Sequence, residues 1–438
     1  MTRHEIKANS DVGHDPDRPR RRGDWHDQGH GHVGGVGDGA ALRRSPGARR
    51  RVLIVLAVLL VPLLITVLGG LAALWPRGDQ SRFFPEDARY SAPGVTTEAA
   101  TVSRVDPFIC DVNLEGVQEA VRESVCAHVT AEVDNTGGEM AHFDVAEQVV
   151  GAGIYPGDSV SVLRIPPDQG HSVTYSFVDF PRGLPLTGLA LTFAALVALI
   201  ARLRGLLALV GLALSFLVIV RFVLPALLAG TSPLLVGMVG SAAIMFIVLY
   251  LAHGVSIRTT TALIGTLFGL GVAALLGSWA VKVAQLTGVA TEEDMTVRAL
   301  AVNVDLQGLL LCGIIIAGLG VLNDVIVTQA SAVWELYALQ PTAPARRLFA
   351  GGMRIGRDHI ASTVYTIAFA YAGSALPVLL LINLSQRPLT ETLISEALAQ
   401  EIVSTLVGSI GLVLSVPLTT AVEVLLVTAA RHRRPEQH

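Results

Sequence analysis

The sequence has little charge and few aromatic residues: Asp, Glu, Lys and Arg make up 16% of its 438 residues and Phe, Trp and Tyr 5%, whereas 51% are hydrophobic. So little charge excludes a typical soluble domain and indicates a membrane protein that is long enough for several spans. The basic residues lie in tails and short loops without interleaved aromatic residues, so the sequence predicts no nucleic-acid binding.

Sequence motifs for catalysis are also missing. There is no HExxH motif, no serine nucleophile elbow and no glycine-rich phosphate loop on a strand. We therefore expect no enzymatic activity, no cofactor and no metal site. An intramembrane enzyme and metal binding by the histidines of the N-terminal tail remain alternatives.

The first part of the chain is polar and is followed by one long apolar run. Residues 1–51 are rich in Arg, Gly, Asp and His and cannot bury a core, which predicts a disordered cytoplasmic tail. Residues 52–75 are uninterrupted by charge and too long for a secretory signal, so they predict an uncleaved membrane anchor. The arginines before this anchor favour a cytoplasmic N-terminus.

Residues 76–181 return to a polar composition and predict a small extracytoplasmic β-rich domain, folded as a partly closed barrel. "CAHVTAEVDNTGGEMAHFDV" at 126–145 alternates apolar and polar residues on both sides of a turn, which indicates a β-hairpin. "VVGAGIYPGDSVSVLRI" at 149–165 is interpreted as a second strand pair around Pro156, Gly157 and Asp158.

The three cysteines divide between this domain and the membrane part. Cys110 and Cys126 both fall in the β-rich domain, and an oxidising space outside the membrane favours a disulfide between them. Two buried thiols are the alternative, because the spacing alone does not prove a bond. Cys312 lies within a predicted span and is expected to serve packing.

Apolar runs of about 20 residues resume after the β-rich domain and predict a seven-span helical bundle over residues 182–430, before a basic cytoplasmic tail at 431–438. With the anchor, the fold class is an α-helical polytopic membrane protein of about eight spans. Arginines alternate with the spans so that both termini lie in the cytoplasm. The seven predicted spans are 184–201, 205–229, 233–253, 260–284, 306–327, 361–383 and 403–429.

Small residues recur in these spans at the spacing of helix contacts. Gly265, Gly269, Ala273 and Gly277 form one ridge, and Gly411 with Ser415 forms another. Such ridges let helix backbones approach closely, so we expect a tight bundle. Arg221 stands alone within a span and is expected to snorkel outward.

Three predicted spans carry polar stripes at their cytoplasmic ends, and these stripes contain Asp324, His359 and Glu423 respectively. Asp324, Thr328, Ser331 and Glu335 share one face of a helix, and intramembrane acids are costly unless they face protein or water. We therefore predict a transport path in which carboxylates bind or relay a cation and the histidine titrates. The alternative is that these groups are hydrated at the membrane surface or cap their helices. The predicted path residues are Asp324, Thr328, Gln329, Ser331, His359, Thr363, Thr419 and Glu423.

Two long segments resemble the YibE/F-like family of bacterial multispanning membrane proteins. They are "VDLQGLLLCGIIIAGLGVLNDVIVTQASAVWEL" at 304–336 and "MRIGRDHIASTVYTIAFAYAGSALPVLLL" at 353–381. The resemblance implies a multi-pass protein of the bacterial cytoplasmic membrane and supplies no substrate. Where the family often has Asp-Asp, this chain has Asn323–Asp324, which leaves Asp324 as the charge carrier.

Two functions follow from these observations. The first is a secondary transporter or permease for an ion or small solute within the lipid bilayer. The second is a non-transporting scaffold or sensor whose outer domain binds a cell-envelope protein and whose polar stripes hold helices together.

Overall fold

The structure is a computed structural model that describes residues 46–77, 94–113, 121–134, 137–166, 173–301, 304–384, 388, 390–391 and 394–431. The predicted disordered tail over 1–51 lies outside these residues up to position 45, and helix α1 already begins at Pro46. Most of the predicted basic tail at 431–438 lies outside them as well.

The described chain is mostly helical, with one antiparallel sheet. The sheet has five strands in the order β3-β2-β1-β4-β5. The strands are β1 Thr96–Asn113, β2 Val121–Val133, β3 Met140–Val145, β4 Ser159–Ile165 and β5 Thr174–Asp179. The helices are α1 Pro46–Leu74, α2 Glu147–Ala152, α3 Gly183–Val218, α4 Leu224–Leu228, α5 Pro233–His253, α6 Ile257–Val283, α7 Glu292–Leu300, α8 Leu306–Leu339, α9 Ala345–Ser374, α10 Leu376–Leu384 and α11 Glu396–Arg431.

The predicted hairpin at 126–145 is confirmed, because β2 and β3 pair antiparallel. Every second residue of β2 from Ala127 to Val133 is buried in the core of the sheet, as the alternating pattern requires. The sheet curls until its two edge strands approach each other, and the rings of Phe143 on β3 and Phe177 on β5 lie 6.3 Å apart. The predicted partly closed barrel therefore describes this sheet well.

The predicted strand pair at 149–165 is wrong in its first half. The chain forms the short helix α2 there, and β4 pairs with β1 and β5 instead. One helical turn places the adjacent Val149 and Val150 both against the core of the sheet. A strand would point these two side chains to opposite faces. Gly153 then ends the helix with a positive φ of 86°.

Cys110 and Cys126 are joined by a disulfide between β1 and β2, with their Cα atoms 5.8 Å apart. In the register of the two strands Cys110 lies opposite Ser124 and Cys126 opposite Phe108, so the bond runs diagonally across the pair. The third cysteine, Cys312, is a buried thiol on α8.

An ion pair marks the junction between the sheet and α3. Arg182 Nη1 donates to Asp179 Oδ2 at 2.5 Å, and this hydrogen bond, aided by one from the Phe180 amide, lowers the pKa of the Asp179 carboxyl. A lowered pKa stabilises the fold above the usual carboxyl pKa, and this contribution is lost as the pH falls through the lowered value.

We therefore predict that Arg182→Gln raises the pKa of Asp179 toward its ordinary value, as measured by carboxyl NMR titration. The effect on stability should be small because the pair is exposed to solvent. In an Asp179→Asn background the same arginine substitution should leave the pH dependence of unfolding unchanged; a change there would mean that Arg182 acts through another group.

Among the described residues, six helical stretches are long and apolar enough to cross a membrane. They are Ala57–Leu74, Gly183–Leu228, Pro233–His253, Ile257–Val283, Leu306–Leu339 and Glu396–Thr428. The six differ from the eight predicted because 183–228 counts once and because the predicted span at 361–383 is divided between α9 and α10. Pro377 explains the division, since its ring lacks an N–H and clashes with the preceding turn.

The stretch 183–228 is broken at Arg202, whose φ of 51° and ψ of −136° are not helical. A Cβ atom at Gly205 would lie 2.7 Å from the carbonyl oxygen of Val197, eight residues earlier. In one straight helix these positions would be about 12 Å apart. The chain therefore turns sharply at Arg202, where the sequence predicts a boundary between two spans.

A π-helical turn over Ile219–Val223 joins α3 to α4. Pro225 accounts for it, because proline cannot donate a hydrogen bond to the carbonyl of Arg221 four residues earlier. The turn leaves Arg221 exposed while Phe222 and Val223 are buried.

The two predicted ridges of small residues pack against each other, one on α6 and the other on α11. A Cβ atom at Gly265 would overlap Thr419 Oγ1, and one at Gly269 would overlap Ser415 Oγ. Further along the pair, Gly411 lies against Ala273. The contacting residue number rises by four on α6 each time it falls by four on α11, so the two helices are antiparallel and in close contact.

Candidate functional site

Gln329 on α8 is the centre of a buried polar group inside the helix bundle. Its side chain is fully buried, and its Nε2 atom donates to Gly352 O at 2.9 Å and to Thr420 Oγ1 at 2.8 Å. The Thr420 hydroxyl donates in turn to Val416 O at 2.7 Å. The Gln329 amide thus links α8 to both α9 and α11.

Two glycines of α9 make room for this amide. A Cβ atom at Gly356 would lie 3.0 Å from Gln329 Oε1, and one at Gly352 would lie 2.9 Å from Thr420 Cγ2. Gln329 Oε1 itself is buried and has no hydrogen-bond partner among the described residues. A buried amide oxygen in this position is an acceptor available to a proton donor or a cation.

Glu423 lies one turn beyond Thr420 on α11 and is also fully buried. The register of α6 and α11, with Gly265 opposite Thr419, places the buried Thr261 opposite Glu423. Thr419 is fully buried next to it, and its hydroxyl has no partner among the described residues. A carboxylate and hydroxyls therefore meet where α6 and α11 pack together.

His359 and Thr363 continue the polar groups in the other direction. Both are partly buried on the side of α9 that carries Gly352 and Gly356, and His359 Nδ1 is buried without a hydrogen-bond partner among the described residues. Because Gly352 contacts Thr420 and Gly356 contacts Val416, helices α9 and α11 are antiparallel. This register puts His359 about 15 Å from Glu423 along the helix axes, with Gln329 between them.

These groups form a polar seam along α11, which α8 and α9 border at Gln329 and Thr420 and which α6 borders at Thr419 and Glu423. We use this name for the residues Glu423, Thr419, Thr420, Gln329, His359 and Thr363. Five of the six were predicted path residues.

The other predicted path residues lie elsewhere. Asp324 and Thr328 are exposed on the outer side of α8, about 140° around the helix from Gln329 in the case of Asp324. Ser331 lines a separate small cavity of about 10 Å³ beside His253 and Arg258. The structure therefore does not bring Asp324, His359 and Glu423 into one group.

Thr261, Thr420, Gly352 and Gly356 are the seam contacts that sequence reasoning missed. The sequence does contain signals for them: a run of three threonines at 259–261, a threonine pair at 419–420, and two glycines four residues apart before His359. Such small and hydroxyl-bearing residues are typical of close helix contacts in membranes.

The described residues contain no group of three or more His, Cys, Asp or Glu side chains that could hold a metal ion. The seam offers one carboxylate, one imidazole and several neutral oxygen atoms. This set can attract and relay a cation or a proton.

One family of known proteins matches the helical part of the chain. The model of the family described as YibE/F-like protein matches residues 189–429. The chain belongs to the YibE/F-like family. The match covers α4 to α10, nearly all of α3 and most of α11, so the whole polar seam of this YibE/F-like chain lies within it. No curated protein and no solved structure matches the chain.

Proposed function

We propose that this YibE/F-like protein is a secondary transporter that moves a proton or a small cation along the polar seam. The observation that carries the proposal is the fully buried Glu423 carboxylate, which belongs to the same seam as the buried Gln329 amide and the His359 imidazole. Ionisable groups in such a place are costly and mark ion pathways in membrane proteins.

The spacing along the seam favours a relay of small species. Gln329 lies about 7 Å along the helix axes from each of Glu423 and His359, which one or two water molecules can bridge. The helices close tightly around these groups at Gly352, Gly356 and Gly265. A proton or a bare cation needs less opening of these contacts than a larger solute does.

The proposal includes a topology of eight spans with both termini in the cytoplasm of a bacterial cell and the β-rich domain outside the cytoplasmic membrane. The sharp turn at Arg202 supports two spans within 183–228. Helices α9 and α10 together are long enough to supply the seventh. The disulfide between Cys110 and Cys126 suits an oxidising compartment.

Proton flux into liposomes tests the function. The full chain, reconstituted with a pH-sensitive dye inside the vesicles, should acidify them when a proton gradient is imposed. Glu423→Gln keeps the size of the side chain but cannot ionise, so it should reduce the flux to the level of empty vesicles.

The matched control is Glu335→Gln, which removes an exposed carboxylate from α8. It should retain the flux of the wild-type protein. Equal flux in the Glu423 variant and the wild type, with both eluting as folded protein, would contradict the path; so would the absence of flux of any tested cation above empty vesicles.

A second candidate function is the scaffold or sensor, which the outer domain favours. Strands β2 and β3 carry a shallow depression with a volume of about 420 Å³, which His128, His142 and Asp144 line. Nearby, the β1–β2 hairpin exposes Ile109 and Val125 opposite each other. These features would suit a cell-envelope protein as partner, and this candidate takes precedence if the flux experiment fails.

A further inference from the structure

Two side chains of opposite charge lie on the outer surface of the helix bundle. Asp324 on α8 and Arg221 in the π-helical turn are both exposed, and neither forms an ion pair with another described residue. The polar seam uses neither of them, so the inference below is independent of the proposed function.

Helix contacts give the depth of both charges. Helix α5 has 21 residues and is about 31 Å long, which matches the hydrocarbon thickness of a bilayer. Its Gly240 contacts Val223, and its Gly237 contacts Cys312. Counting along the helices from these contacts puts Arg221 about 2 Å from the centre of α5 and Asp324 about 9 Å from it on the cytoplasmic side in the proposed topology, so both lie within the hydrocarbon depth that α5 spans.

At that depth an exposed charge would face lipid hydrocarbon. An unpaired carboxylate or guanidinium there costs several kcal/mol, and the cost is avoided when the charges are paired or hydrated. The two side chains also lean toward each other. Helix α8 runs parallel to α5 and α3 runs antiparallel to it, and side chains tilt toward the N-terminus of their helix.

The exposed surface of α8 around Asp324 is flat because its side chains are small. Gly313, Ala317 and Gly320 are exposed in line with it at spacings of four and three residues, and a Cβ atom added to either glycine would meet nothing within 4 Å. Cys312 and Ile316, on the side of α8 next to this line, belong to the same apolar cluster as Phe222, the neighbour of Arg221. Both charges therefore belong to one continuous outer face.

We propose that this face, made of Gly313, Ala317, Gly320, Asp324 and Arg221, binds a second copy of the chain. A copy related by a two-fold axis along the membrane normal presents the same face at the same depth. Each Asp324 then faces Arg221 of the other copy. The two residues differ in depth by about 10 Å along the membrane normal, and the length of the arginine side chain and the tilt of both side chains toward each other bridge this difference. The small residues allow the backbones to approach closely.

Exchange of the two charges tests this pairing. Labelled full-length protein is placed in liposomes at low density, and the copies in each particle are counted by single-molecule photobleaching. Wild type should be mainly dimeric. Asp324→Arg and Arg221→Asp should each lower the dimerisation constant by about tenfold or more, since each leaves like charges opposed.

Mixing the two single variants in one sample should restore dimers, and these should contain one copy of each variant. Only a contact between copies predicts this, because a pair within one chain would be restored in the double variant but never by mixing. The restoration also shows that both variants fold.

Gly320→Leu should weaken the dimer, whereas the control Gly188→Leu, at another exposed glycine without neighbours, should leave it intact. A monomeric wild type, single variants that remain dimeric, or a mixture that stays monomeric would each overturn the proposal.

Discussion

Gly269→Ala is expected to destabilise the helix bundle by about 1–3 kcal/mol, which is the typical cost of inserting a methyl group into a packed core. The added Cβ would overlap Ser415 Oγ and would lie 2.6 Å from Leu322 Cδ2. Neither neighbour can move away easily, because Ser415 and Leu322 are themselves fully buried. The midpoint of thermal unfolding in detergent measures the loss.

The matched control lies two residues away on the same helix. A Cβ at Gly271 would meet nothing within 4 Å, and alanine stabilises a helix relative to glycine by up to about 1 kcal/mol. The same substitution should therefore lower the unfolding midpoint at position 269 and raise it or leave it unchanged at position 271. Equal effects at the two positions would mean that α6 and α11 do not pack through the glycine ridge.

This pair of substitutions shows how far the sequence predicts the bundle. Small residues at spacings of four predicted close helix contacts on α6 and α11, because helix geometry alone puts such residues on one side. That these two helices contact each other did not follow from the pattern. The arginines that interrupt the apolar run marked the position where the helix breaks, at Arg202. These features depend on local pattern, and the structure agrees with them.

The sequence of α8 alone did not predict which side of this helix faces the inside of the bundle. Asp324, Thr328 and Glu335 form the more conspicuous polar stripe, yet the helix turns Gln329 inward. The orientation depends on Gly352 and Gly356 of α9 and on Thr420 of α11, which are distant in sequence. Contacts of this kind are set by tertiary packing, which the pattern of one helix does not contain.

The misassigned segment before β4 has a similar cause. Val149 and Val150 suit a strand by propensity, but burial against the curled sheet favours a helical turn there. The closure of the sheet brings Phe143 near Phe177, and that proximity is a property of the whole domain.

The central claim is that the polar seam opens to water during the working of the protein, and thiol labelling of Thr420→Cys tests it most directly. The variant keeps the size of a side chain that is fully buried in the resting structure, and Cys312 is replaced by serine so that the new thiol is the one probed. Leu319→Cys, buried among the apolar residues facing α5 and α6, is the dry control, and Thr328→Cys is the exposed reference.

A small water-soluble thiol reagent should modify the cysteine at 420 in liposomes bearing a proton gradient, at a rate between those of the two reference positions. If the cysteine at 420 stays as unreactive as the one at 319 while the one at 328 reacts, the seam is a dry helix contact and the transport account is contradicted.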